Sequence, residues 1–86
     1  MHIVTDASYV DGYKLRIRFD EGEIKEVDLG PHLIGPFFEP LKDPAYFRQF
    51  RVHPDIDTVV WPNRADFSPD FLYDIGTQIV HATKSS

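Results

Sequence analysis

Apolar and basic residues alternate strictly through Tyr13-Lys14-Leu15-Arg16-Ile17-Arg18-Phe19. A period of two predicts a strand with one buried and one solvated face. Tyr13, Leu15, Ile17 and Phe19 form the inward face, and Lys14, Arg16 and Arg18 the outward one. An acidic residue followed by glycine flanks the strand on each side, at Asp11-Gly12 and Glu21-Gly22. A two-residue turn at Asp11-Gly12 would set Asp6 and Ser8 against Ile17 and Leu15. A three-residue loop ending in Gly12 pairs Tyr9 with Tyr13, Ala7 with Leu15 and Ile3 with Phe19, which matches apolar to apolar. The same loop at Gly22 pairs Leu15 with Val27, Arg16 with Glu26 and Lys14 with Asp28. Residues 3–29 therefore read as a three-stranded antiparallel meander, with Gly12 and Gly22 in the left-handed region.

The pattern then changes. Residues 30–42 hold Gly30, Pro31, Gly35, Pro36 and Pro40, and read as a structured connection that buries Leu33, Phe37, Phe38 and Leu41. Asp43-Pro44 opens a short helix to about Phe50, with Asp43 as cap and Pro44 in the first helical position. Arg51–His53 and Asp57–Trp61 are two short strands joined as a hairpin. Ser68-Pro69-Asp70 opens a second helix whose apolar stripe is Phe71, Ile75 and Ile79 with Leu72 and Val80. Gly76 interrupts that stripe, so the helix ends there or runs on to about His81. The expected fold is α+β in the order βββ-α-ββ-α: meander, short helix, hairpin, C-terminal helix. Residues 1–82 form one domain, and residues 83–86 a loose tail.

Size and composition narrow the function. The 86 residues carry 42% hydrophobic and 14% aromatic side chains, enough for one core and too many for a disordered chain. Without cysteine there is no disulfide and no thiolate chemistry. No apolar run spans a membrane and no secretory pattern opens the chain, so a cytoplasmic protein is expected. The net charge of −5 disfavours a general nucleic-acid binder. Lys14, Arg16 and Arg18 form a basic stripe, but Asp6, Glu26 and Asp28 fall beside it and neutralise it by cross-strand pairing.

Few residues point to chemistry. His2, His32, His53 and His81 fall at no metal-pair spacing, and no metal or other cofactor is expected. Asp55 and Asp57 flank one residue before a strand, as a polar turn would. Asp66, Asp70 and Asp74 recur every four residues, as the solvated start and outer face of a helix would. The densest segment runs from Trp61 to Tyr73, four aromatics with two prolines and two acids between strand and helix. It is either a core plug or a recognition surface, with Trp61, Asn63, Asp66, Asp70 and Tyr73 as the interaction residues.

The chain resembles the small bacterial family known as domain of unknown function 2442. The likeness rests on Leu15–Phe19 with Val27-Asp28-Leu29, on Leu41-Lys42-Asp43-Pro44 leading to Phe47, and on Trp61-Pro62-Asn63, Ala65-Asp66, Ser68-Pro69-Asp70 and Leu72-Tyr73. One departure stands out: the family typically has glycine where this chain has Arg64. The resemblance implies a compact α+β domain and supplies no catalytic residues. Some relatives look like the first domain of proteins that continue into a helix-turn-helix; these 86 residues are not expected to contain that module, so DNA binding is not expected of them. Others resemble the small partner of toxin–antitoxin gene pairs.

The reading is a small non-catalytic binding or regulatory module that engages a protein partner, antitoxin-like and encoded by a neighbouring gene. The alternative is a small enzyme or ligand-binding protein that uses Asp66, Asp70 and His53 near the strand-to-helix crossing. A pocket lined by Trp61, Asp66 and a histidine would favour that alternative.

Overall fold

The computed structural model describes residues 2–79. Three antiparallel strands open the chain: β1 (Val4–Asp11), β2 (Lys14–Phe19) and β3 (Ile24–Asp28). As the alternation predicts, Leu15, Ile17 and Phe19 are buried, together with Val27 of β3 and Leu29 just after it. The second hairpin has the expected register, with Leu15 opposite Val27, Arg16 opposite Glu26 and Lys14 opposite Asp28. Gly22 closes its three-residue loop at φ +93, and its N–H donates to the Phe19 carbonyl.

The first hairpin departs from expectation. Tyr9 faces Leu15, not Tyr13, and Ala7 faces Ile17. The turn is a two-residue loop of Gly12 and Tyr13 between Asp11 and Lys14, with an irregularity between Tyr9 and Asp11. Gly12 has φ +50 as expected, but as the first loop residue. A slip of two residues leaves every side chain on the same face, so the apolar pattern alone does not distinguish the registers.

The outward face of the meander is a ladder of opposite charges. Asp6 lies opposite Arg18, Lys14 sits between Asp11 and Asp28, and Arg16 donates to Glu26 at 3.0 Å.

Two 3₁₀ turns, Gly30–His32 and Glu39–Lys42, carry the connection. Leu33 and Leu41 are buried, but Phe37 is 53% exposed, against expectation. Helix α1 (Pro44–Phe47) is a single turn capped by Asp43, whose carboxylate accepts from the Ala45 N–H. Strands β4 (Arg51–His53) and β5 (Thr58–Val60) form the hairpin, and Asp57 in its turn links to β1 through a Val4 N–H bond of 2.9 Å.

Helix α2 (Pro69–Ile75) begins at the Ser68 cap, whose hydroxyl accepts from the Phe71 N–H. It stops at Gly76, so the stripe through Ile79 is not one helix. Gly76 is extended (φ −73, ψ 152), and β6 (Thr77–Gln78) pairs antiparallel with β3. The order is thus βββ-α-ββ-α-β, with a four-stranded sheet β1-β2-β3-β6 beside the two-stranded hairpin. Val80, His81 and the expected tail lie outside the described residues. No helix among the described residues is long and apolar enough to cross a membrane.

Candidate functional site

Trp61 follows β5 and turns into the core, where it is 2% exposed and its indole N–H donates to the Phe47 carbonyl at 2.7 Å. The chain reverses at once. The Trp61 N–H donates to Ala65, the Arg64 N–H donates to Trp61, and Val60 bridges to Asp66. Asn63 locks this reversal from both ends: its amide donates to the Phe37 carbonyl at 3.0 Å and its oxygen accepts from the Ala65 N–H at 3.1 Å. The reversal requires a left-handed residue, and Arg64 supplies it at φ +71.

This turn and the β4–β5 hairpin enclose an open groove of about 810 Å³. Strand β4 contributes Arg51 and His53, the hairpin turn contributes Ile56, and the reversal contributes Arg64 and Asp66 around Trp61. Arg51, Arg64 and Asp66 are exposed. Among the described residues neither guanidinium has a carboxylate oxygen within 4.0 Å, Asp66 included. The Nδ1 of His53 accepts from the Asp55 N–H at 3.1 Å, so its neutral ring carries the proton on Nε2 and offers a donor there.

The other two residues of the Trp61–Tyr73 segment expected to make contacts face elsewhere. Asp70 accepts from the His2 N–H at 2.9 Å, which ties the chain start to α2. The Tyr73 ring stacks on His2 at 3.7 Å and lies 3.5 Å from the Lys25 ammonium. The carboxylate of Glu23 at its hydroxyl, followed by burial, raises the Tyr73 pKa above the ordinary phenol value of 10.0. The structure therefore brings Trp61, His53 and Asp66 to one groove, places Asn63 behind it as a brace, and separates Asp70 and Tyr73 from it. Sequence reasoning missed Gln49, Arg51 and Arg64, which also line the groove. Arg64 carried one signal, as the expected departure from the family pattern. Among the described residues no cluster of three histidine, aspartate or glutamate side chains is placed to hold a metal ion.

No protein of curated function matches the chain. Among solved structures it is similar to "Putative DNA Binding Protein NE0471" from Nitrosomonas europaea, with a TM-score of 0.77 and 28% identity. The match covers 87% of this chain and 48% of that one, so this chain spans about half the length of the Nitrosomonas protein. Residues 4–78 match the sequence model of DUF2442, described as a protein of unknown function, and the chain belongs to that family.

Proposed function

We propose that this chain is a binding module whose partner is a protein, docked on the loop from Ile34 to Phe37. One observation carries the reading. Ile34 is 74% and Phe37 53% exposed, while the Phe37 carbonyl is held by Asn63. Apolar side chains on a braced backbone can be buried by a partner with little further loss of backbone entropy. The family resemblance favours a partner encoded beside this gene, as in toxin–antitoxin pairs. The charge ladder on the open sheet face disfavours DNA, because the acids beside Lys14, Arg16 and Arg18 cancel their pull on phosphates. The test is calorimetric affinity for the neighbouring gene product, with the Ile34→Ser/Phe37→Ser double variant and a DNA duplex as separate arms. Loss of binding in the double variant, with the fold intact by circular dichroism, supports the reading. Equal binding by both proteins, or binding of the duplex alone, overturns it.

A second reading, a ligand-binding protein, has its own support: Trp61, His53 and Asp66 share the groove.

A further inference from the structure

We propose that the groove beside the β4–β5 hairpin binds a phosphate-bearing small molecule of mononucleotide size. The inference rests on the second reading above and names its ligand.

Arg51 and Arg64 are exposed, have no carboxylate within ion-pair distance among the described residues, and line the same groove. A planar guanidinium presents paired N–H donors that fit the oxygens of a phosphate. The Nε2–H of His53 and the side-chain amide of Gln49 add donors to the same wall.

The backbone points the same way. The turn at residue 64 needs a left-handed residue, which glycine fills without strain. Arginine fills it with strain, so the turn itself gains nothing from the side chain. What the guanidinium adds is charge at the rim of the groove.

Size and mixed character then select the ligand. A volume of about 810 Å³ lies within the range of small-molecule sites and far exceeds one phosphate. The remaining wall is Ile56, Val60 and Pro62 over the buried Trp61, with the Asp66 carboxylate as an acceptor. That combination suits a flat ring with an N–H donor joined to the phosphate. Asp66 would repel a second phosphate, so an extended nucleic-acid backbone fits the groove worse than a nucleoside monophosphate does.

The experiment is a titration of the ¹⁵N-labelled protein, followed by amide shifts, with AMP, GMP, adenosine and inorganic phosphate, and with a DNA duplex. The expected result is saturable shifts at Arg51, His53 and Arg64 with a monophosphate, weaker ones with inorganic phosphate, and none with adenosine. Arg64→Gly keeps the turn's backbone, so its melting temperature should hold while affinity falls about tenfold or more. Arg51→Gln should lose a similar factor. No saturable shift with any phosphate, or unchanged affinity in both variants, overturns the proposal. So does tighter binding of the duplex at the same amides. The Ile34→Ser/Phe37→Ser variant, which lacks the protein-docking side chains, should bind the monophosphate as the wild type does. Failure of the two readings is thereby told apart.

Discussion

Lys25 of β3 holds its ammonium 3.5 Å from the centre of the Tyr73 ring and donates to the Tyr73 carbonyl at 2.8 Å. Lys25 shares the inward face of its strand with Val27, so it is a charge on the core side of the sheet. The ring and a carbonyl of the last turn of α2 replace water around it. Lys25→Met keeps the stem and removes both interactions. We expect a loss of about 1–2 kcal/mol by urea unfolding. A variant as stable as the wild type would show that the ammonium contributes nothing.

Tyr73 also adds an alkaline pH dependence. Glu23 raises its pKa, so the native state favours the neutral phenol. A group with a raised folded pKa contributes its stability below the unfolded value, here an ordinary 10.0, and loses it as pH rises through the folded one. Phenolate absorbance, with Tyr73→Phe as the difference reference, should place Tyr73 above the ordinary value. Glu23→Gln should move that titration down. Superimposable curves would remove Glu23 as the cause.

Trp61 is the single tryptophan, so its emission reports on one site. Trp61→Phe loses ring volume and leaves the Phe47 carbonyl without its indole donor. The expected cost is about 2–4 kcal/mol. Wild-type emission should shift to the red on unfolding. A native maximum already typical of indole in water would contradict the buried position.

Gly76→Ala should destabilise, although a residue at φ −73 ordinarily gains from that change by about 0.4–1 kcal/mol. A Cβ at Gly76 would lie 2.9 Å from the Lys25 Cβ and 3.0 Å from the Leu72 carbonyl oxygen. Relieving that overlap means lifting β6 from β3, at about 1–3 kcal/mol. Hydrogen exchange at the Ile79 amide, which donates to Ile24, should accelerate. Unchanged protection there would mean that the side chain of Lys25 simply moves aside.

Much of this architecture was legible in the residues. The strict alternation of β2, the glycine at the end of the second loop and the Ser68-Pro69 cap each have one physical solution, and the chain takes it. The first hairpin was not legible to the residue, because both registers place Tyr9 and Ala7 on the buried face. Strand β6 was hidden for another reason. Phe71, Ile75 and Ile79 keep helical spacing across a break, and a two-residue strand carries no pattern of its own. The groove was half visible. His53 and Asp66 drew notice as titratable residues, but Arg51 joins Arg64 only through the hairpin pairing, which a linear reading does not reveal.

The order of the strands has a consequence for synthesis. The meander is complete by Asp28, so its contacts are local and can form early. Its apolar face, however, is covered by Leu33, Leu41, Phe47, Val59, Trp61 and Leu72, all of which emerge later. A nascent chain that has released only its first thirty or so residues thus carries a greasy sheet with nothing to lay on it. The meander gains lasting stability only once Leu72 has arrived, and folding of residues 4–78 becomes one cooperative event that waits for α2.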